Sequence, residues 1–385
     1  MISGLFTKLM SKEYNIYIDA DFSIYKESSH AIEMGIKTAL DEQKKNFSNI
    51  KFNVIRLDHR ANSRRSLSNL KKALKDPNRL AIFGGMHSPP ILANKDFINQ
   101  NKLLLLVPWA AAGPITRCND KQNWIFRLSV DDSKAGPFLV QAMLNNNYKK
   151  PFLLLEKTGW GKNNHLTITK ALQANGVSTT GVEFFNWQPD VTNQKSKIRK
   201  IIQSKADCII FVGNSSEGQI FAKQMIEMNV KTPVISHWGI TGGKFFESVG
   251  PENLKKQEWQ FLQTEFSFTE KLTPFQKTVL DRAKTNFPKM IKENYIEAPV
   301  GFIHAYDLTK IFLQAATESG IHSELNHNKL HQSLENLNTP VQGLIKKYQK
   351  PFQSFNKENT DAHEALSSKN YRMAVYNKDG KIVLK

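Results

Sequence analysis

Short apolar segments alternate with segments of helical periodicity along most of the chain, and this alternation is the strongest constraint on its fold. Residues 14–18, 52–57 and 80–83 have the apolar composition of buried strands, and residues 103–107 continue the series. Between the first three, apolar residues recur along one helical face. This order is typical of a parallel sheet that is covered by helices on both faces.

A second series of the same kind follows the first. Strand-like segments lie at 152–155, 182–185, 208–212 and 233–236, and helical segments near 164–175, 194–203 and 218–229 separate them. With 385 residues the chain is also longer than one ordinary core can serve. We therefore predict an α/β protein with two doubly wound parallel-sheet lobes.

The remaining chain is too long for a tail and is expected to return to both lobes. It contains a strand-like segment at 259–268, a long helix at 298–319 and a last strand at 371–376. The predicted lobes are 14–130 plus 266–343, and 131–265 plus 344–385. Crossings near 129–133, 264–267 and 342–348 would form a multi-crossing hinge, which suits closure around a ligand.

Composition bears on several classes of function. Apolar residues make up 40% of the chain and charged residues 23%, as in a folded protein. The net charge of +18 could indicate a polyanion partner, but the lysines are scattered, so we expect a solvated basic surface and no nucleic acid. No apolar run reaches the ~18–20 residues of a membrane span, so no membrane insertion is expected.

The cysteines give no framework for a disulfide-rich or metal-binding domain. Cys118 and Cys208 form no CxxC motif, and Cys208 lies in an apolar strand, where a core thiol is expected. A bridge between the two is unsupported.

The sequence also offers poor candidates for catalytic residues. Ser215 does not fit the GxSxG nucleophile elbow, and residues 156–162 lack the spacing of a phosphate-binding loop. His322, His327 and His331 lie in a polar stretch and are expected to be solvated. We predict a protein that is not an enzyme and has no cofactor or metal.

Ligands of open parallel sheets bind at the carboxyl ends of the strands. The loops that follow four predicted strands have unusual composition. They contain His87 and Ser88 at 84–90, Trp109, Ala110 and Ala111 at 108–117, Trp160 at 156–162, and His237 and Trp238 at 236–243. Ser88 is expected to cap a helix that has Pro89 in its first turn. These loops are the predicted ligand site.

The order of these loops, with Phe126-Arg-Leu-Ser129 and Gly159-Trp-Gly161 between them, resembles the leucine/isoleucine/valine-binding family of ABC-transporter receptors. The resemblance covers about residues 14–385 and implies the type I periplasmic binding fold. It also implies that Ser88 holds a ligand carboxylate and that Ala110 offers a backbone contact. Trp160 would pack on the ligand, and Asn214 or Ser215 takes the place of a tyrosine of the second lobe.

Two positions depart from the pattern of the family. Ala111 stands where amino-acid binders have a threonine, and Trp238 stands where they have the glutamate that pairs with the ligand ammonium. The missing acid argues against a standard α-amino acid, unless Glu217 turns inward to replace it. An aromatic box that would suit a flat, aromatic or cationic ligand is the alternative, formed by Tyr25, Trp109, Trp160 and Trp238.

These observations predict an extracytoplasmic receptor that delivers a small polar or aromatic ligand to an ABC-transporter permease. A ligand sensor with the same fold and no link to transport remains the alternative, because fold alone does not identify a partner. The first ten residues show no secretory signal pattern. Either a signal has been removed and the protein is periplasmic, or the protein is cytoplasmic.

Overall fold

Two separate β-sheets organise the protein in the computed structural model, which describes residues 11–118, 122–187, 194–291, 293 and 295–385. The strands of the first sheet are β1 (Lys12–Ala20), β2 (Ile50–Asp58), β3 (Arg79–Gly84), β4 (Leu105–Val107) and β5 (Ile125–Arg127). They are parallel and lie in the order β2-β1-β3-β4-β5. The helices between them are α1 (Lys26–Gln43), α2 (Ser63–Leu74) and α3 (Ser88–Gln100).

The second sheet is mainly parallel and carries two antiparallel strands at one edge. Its parallel strands are β6 (Pro151–Glu156), β7 (Gly181–Phe185), β8 (Cys208–Val212), β9 (Val234–Ser236) and β10 (Trp259–Thr264). Its helices are α4 (Asp132–Asn145), α5 (Gly159–Ala174), α6 (Gln194–Ser204), α7 (Ser215–Glu227), α8 (Phe245–Val249) and α9 (Pro251–Lys256). The predicted architecture of two doubly wound lobes is confirmed.

The chain then returns to the first lobe before it ends in the second. The returning elements are α10 (Pro274–Asn286), α11 (Pro299–Glu318), α12 (His327–Glu335), β11 (Val341–Gln342) and β12 (Lys347–Tyr348). The antiparallel edge strands β13 (Tyr371–Tyr376) and β14 (Ile382–Leu384) follow. Helix α11 lies so close to α1 that a Cβ atom on Gly35 would be 2.4 Å from the carbonyl oxygen of Phe302.

The crossing expected near 342–348 is not a crossing between lobes. β11 and β12 pair with each other, and the hydroxyl of Tyr348 donates to Asp307 of α11 at 2.7 Å. Further along, the ring of His363 stacks on Phe126 of β5 at 3.8 Å. The chain passes to the second lobe only after these contacts, so we propose that residues 344–366 belong with the first lobe. The other predicted lobe boundaries stay a prediction.

The structure also tests the expectations for the cysteines and the histidines. Within the described residues, neither Cys118 nor Cys208 forms a disulfide bond, and Cys208 is fully buried in β8, as the apolar strand predicted. The expectation of solvated histidines is wrong for His331, which is only 5% exposed. Among the described helices, none combines the length and the apolar character that a bilayer span requires.

Candidate ligand-binding site

The predicted site residues are all buried, with exposed fractions of 6% or less. They are Tyr25, His87, Ser88, Trp109, Ala110, Ala111, Trp160, Asn214, Ser215, His237 and Trp238. Contacts join the two lobes directly, for example a hydrogen bond of 2.9 Å from the amide of Gly113 to Oδ1 of Asn163. The structure therefore shows the lobes closed on each other.

Ser88 begins helix α3, but it does not cap that helix as expected. His87 occupies the cap position and makes no side-chain capping bond. Instead, the Ser88 hydroxyl accepts a hydrogen bond of 3.1 Å from the amide of Ala112, in the neighbouring loop. A hydroxyl that accepts one bond still has its own proton to donate. Ser88 can thus donate to a ligand oxygen.

A buried arginine holds the loop after β4 in place. The guanidinium of Arg127 donates to the carbonyls of Ala110 and Ala112 at 3.3 and 2.9 Å. The carbonyl of Ala111 accepts from the amide of Asp132 at 2.9 Å. These bonds fix the backbone of the loop whose Ala112 amide donates to Ser88.

The four aromatic residues of the predicted box lie in different surroundings. Trp109 of the first lobe packs on Trp238 of the second, with ring centroids 5.9 Å apart, and Trp238 also contacts His304 of α11. Trp160 meets His237 edge to face at 5.1 Å. The buried Nε1 of Trp160 has no hydrogen-bond partner among the described residues. It is therefore a donor that a ligand could satisfy.

His237 has partners for both of its ring nitrogens. Nε2 lies 2.8 Å from Oδ1 of Asp132, and Nδ1 accepts the amide of Trp238 at 2.9 Å. The other oxygen of Asp132 accepts from Asn164 at 2.7 Å. We therefore assign His237 to holding the loop after β9 in position.

Two further acidic side chains of the site lie in the second lobe. Glu156 ends β6 and Glu217 is in the first turn of α7, and both are buried. Asn214 and Thr158 each donate to Glu156 at 2.9 Å. The hydroxyl of Tyr25, from the first lobe, lies 3.1 Å from each oxygen of Glu217. Glu217 has thus turned inward, which is the orientation it needs to replace the glutamate that is missing at position 238.

The surroundings of Glu156 oppose its ionisation. Burial, and then the nearby charge of Glu217, raise the pKa of Glu156 well above its ordinary value. Burial and the charge of Glu217 likewise raise the pKa of Tyr25. The sequence gives no signal for Glu156, because this residue ends an apolar strand and precedes a glycine-rich loop.

The loop between β6 and α5 is a short, tight turn. The amide of Thr158 donates to the carbonyl of Glu156 at 2.9 Å, and Thr158 caps α5 through the amide of Gly161. A Cβ atom on Gly161 would lie 1.7 Å from the carbonyl oxygen of Glu156. Position 161 therefore requires glycine in this turn.

A further cluster surrounds His87. Its Nε2 lies 3.5 Å from Oδ2 of Asp21, and both groups are buried. The ring meets Tyr25 and Trp187 edge to face, each at 4.8 Å. Asp21 follows β1 of the same sheet as His87, whereas Trp187 follows β7 of the second sheet and joins the cluster from the other lobe.

A second set of buried charges lies where the chain passes between the lobes. Arg127 contacts Glu364 at 2.6 Å and Asp131 at 3.1 Å, and Arg117 contacts Asp131 at 2.7 Å. Burial alone would raise the pKa of Asp131, but the two guanidinium groups hold it well below its ordinary value. The amide of Asp131 donates to the hydroxyl of Tyr371 at 2.8 Å.

A two-lobed α/β protein in which strand ends of both sheets enclose buried hydroxyl, carboxyl and aromatic groups is a binding protein of the closing-clamp class. A family model described as a periplasmic binding protein matches residues 18–380, and the chain belongs to that family. The predicted resemblance to type I periplasmic receptors and the predicted class of solute-binding receptor are thereby confirmed.

Solved structures show the same fold at low sequence identity. A type 1 periplasmic binding protein from Bordetella pertussis has a TM-score of 0.81 at 16% identity, over 97% of this chain and 100% of its own. A solute-binding protein from R. palustris in complex with benzoate has 0.80 at 15%, over 97% and 95%. A branched-chain amino acid binding protein from Streptococcus pneumoniae in complex with isoleucine has 0.77 at 17%, over 97% and 100%.

One relative of unknown role is detected by sequence. An uncharacterised protein of Methanocaldococcus jannaschii is 23% identical over 165 residues, which are 40% of this chain and 38% of that protein. The match thus spans well under half of the relative's length and says nothing of the ligand.

Proposed function

We propose that this protein is a solute receptor that closes around one small molecule carrying a cationic group, and that Glu156 and Glu217 receive that group. The observation that carries the proposal is the pair of buried acids where the lobes meet. The described groups bonded to Glu156 are an amide and a hydroxyl, neither of which brings a positive charge.

A buried carboxylate is costly unless an opposite charge accompanies it. Without ligand, the raised pKa of Glu156 means that this group keeps its proton at neutral pH. A cationic ligand would take the place of that proton and let both acids ionise. Trp160 and Asn214 both approach Gly239, so an aromatic face lies next to the acidic end and adds a cation–π contact.

The opposite end of the ligand would face the first lobe. Ser88 has a hydroxyl proton to donate there, beside a loop whose backbone is fixed by Arg127. An amino-acid-like ligand has both ends, as does the isoleucine bound by the structural neighbour from Streptococcus pneumoniae. Because Glu156 and Glu217 supply the acids, the tryptophan at 238 no longer argues against an ammonium-bearing ligand.

We also propose that the receptor acts outside the cytoplasm, hands its ligand to an ABC-transporter permease and catalyses no reaction. The support is membership of the periplasmic binding protein family and the ABC-transporter neighbours that share the fold. The buried polar groups of the cleft serve to hold a ligand.

Thermal unfolding with matched ligand pairs tests the proposal. Each amino acid or amine is compared with its N-acetylated form, which keeps the shape and loses the charge, and benzoates are included as acids without a cation. A ligand present at 100 times its Kd stabilises the folded state by about 2.7 kcal/mol. We expect stabilisation by members with a cation only. Equal stabilisation by the acetylated forms, or by benzoates alone, would contradict the proposal.

A pair of variants locates the effect. Glu217→Gln removes the charge from the cleft, and Glu183→Gln removes a charge from the outer strand β7 of the same sheet, where Glu183 pairs with Lys197 and Lys200. Loss of one charge-assisted hydrogen bond costs about 1.5–3 kcal/mol, or roughly 10- to 150-fold in affinity. Calorimetric titration should show this loss for Glu217→Gln only. Wild-type affinity in Glu217→Gln contradicts the assignment.

A further inference from the structure

Away from the cleft, three side chains with metal-ligating atoms meet inside the first lobe. His331 and Glu335 lie one turn apart on α12, and His363 comes from the segment that stacks on β5. All three are largely buried, with side-chain exposures of 6%, 11% and 0%. One ligand atom from each lies within 4.8 Å of the others.

The separations suit a small metal ion. Nε2 of His363 lies 3.1 Å from Oε1 of Glu335, and Nδ1 of His331 lies 3.9 Å from Oε2 of the same carboxylate. Ligand atoms about 2.0–2.1 Å from a tetrahedral zinc ion are themselves roughly 3.3 Å apart. The three ligand atoms lie within 4.8 Å of one another, so the groups must approach by up to about 1.5 Å to share one ion.

The other nitrogen of each imidazole contacts a backbone carbonyl. Nε2 of His331 lies 2.8 Å from the oxygen of Asn123, and Nδ1 of His363 lies 3.0 Å from the oxygen of Ile125. Carbonyl oxygens only accept, so those nitrogens carry the hydrogens. In the neutral rings, the lone pairs of His331 and His363 then point towards Glu335. Metal-binding histidines are oriented by outer hydrogen bonds of this kind.

Packing holds both rings in this orientation. Trp124 lies against His331 with centroids 4.4 Å apart, and Phe126 stacks on His363 at 3.8 Å. Two lone pairs directed at one carboxylate repel it unless a positive charge lies between them. A proton on His363 would satisfy the contact at 3.1 Å, but it would leave Nδ1 of His331 beyond hydrogen-bond distance. A metal ion satisfies all three groups.

We propose that His331, Glu335 and His363 form a buried site for a divalent transition metal, and that the ion is zinc. Imidazole and carboxylate donors suit this class of metal and not calcium or magnesium, which prefer oxygen donors alone. The ion would join α12 to the segment that carries Glu364, directly beside Arg127. It would therefore fasten this segment to the first lobe ahead of the last crossing.

The test uses the full-length protein, freed of metal with a chelator and then titrated with Zn²⁺ alone against a chromophoric competitor. His331→Gln, Glu335→Gln and His363→Gln each remove one ligand. His327→Gln is the matched control, because His327 is on the same helix and outside the cluster. We expect one equivalent of Zn²⁺ in the wild type and in His327→Gln, and at least a tenfold weaker affinity in each cluster variant.

Co²⁺ absorption on the wild-type protein keeps the proposal testable if a variant does not fold. Bound Co²⁺ should give the intense visible bands of a tetrahedral site, and added Zn²⁺ should remove them. Unchanged Zn²⁺ affinity in the folded cluster variants would overturn the proposal. So would a folded wild-type protein that binds no Zn²⁺, in which case the cluster is an imidazolium–carboxylate pair.

Discussion

The molecule buries acidic groups in two places, and the two places differ in what accompanies them. Beside the crossings between lobes, Glu364 and Asp131 lie against the guanidinium groups of Arg127 and Arg117. In the cleft, Glu156 lies near a second acid, and its described hydrogen-bond donors are the uncharged side chains of Asn214 and Thr158. The protein itself supplies arginines to the first cluster, whereas we propose that a ligand supplies the positive charge to the second.

Removal of Arg127 should break the completed cluster and have the largest effect. Arg127→Met leaves two carboxylates buried beside each other and releases the carbonyls of Ala110 and Ala112. Breaking a buried pair in this way costs ~3–5 kcal/mol of unfolding free energy. Denaturant unfolding monitored by circular dichroism measures the loss.

An exposed pair of the same chemistry is the control for that change. Arg372 contacts Glu265 at 3.1 Å, but the arginine side chain is 42% exposed. Arg372→Met should cost less than ~1 kcal/mol, as surface pairs do. Equal losses in Arg127→Met and Arg372→Met would mean that burial makes no difference to these clusters.

The cleft acids predict a pH dependence of binding with a definite sign. The raised pKa of Glu156 means that the free protein holds a proton there, which a cationic ligand must displace. Binding should therefore release a proton, and affinity should rise with pH, by up to about tenfold per unit, until Glu156 is ionised in the free protein. Titration calorimetry in buffers of different ionisation enthalpy measures the proton release.

Glu156→Gln separates this effect from general pH effects. An amide cannot release a proton, so both the proton release and the rise of affinity with pH should disappear. The free variant should also be more stable than the wild type at high pH. A folded-state pKa above the unfolded one means that the wild type loses stability as pH rises between the two values. Proton uptake on binding would contradict the assignment.

The neutral side of the cleft should show the smallest effect. Ser88→Ala removes one hydroxyl donor from the first lobe and should weaken ligand binding by roughly 1–2 kcal/mol. Ser319→Ala removes a hydroxyl that donates to Ala316 at the end of α11 and should leave affinity unchanged. Titration of both variants with the same ligand decides whether Ser88 contacts it.

The sequence predicted the two sheets well because buried parallel strands have an apolar composition of their own. Strand β13 was predicted with the bounds that it has, and β6 and β8 within a residue at each end. Residues 344–366, which we propose to place with the first lobe, carry no periodic pattern that would have assigned them. Their position depends on contacts with β5, such as the stacking of His363 on Phe126.

The site was only partly predictable for a similar reason. The loops at the carboxyl ends of strands were found by a general rule of parallel sheets, and Ser88 and Trp160 followed. The orientation of Glu217 depends on how α7 meets Tyr25 of the other lobe, which no local pattern encodes. The cluster at His331 was likewise hidden, because His363 arrives from a distant segment.

The tight turn between Glu156 and Gly161 limits how this receptor can be retargeted. A Cβ atom at position 161 would lie only 1.7 Å from the carbonyl oxygen of Glu156, so a side chain cannot be introduced there without moving the backbone of that acid. A designer who seeks a larger or an uncharged ligand would therefore vary Tyr25, Glu217 or the loop around Ser88. The position of Glu156 is the fixed reference point, and altered specificity should arise by substitutions that face it.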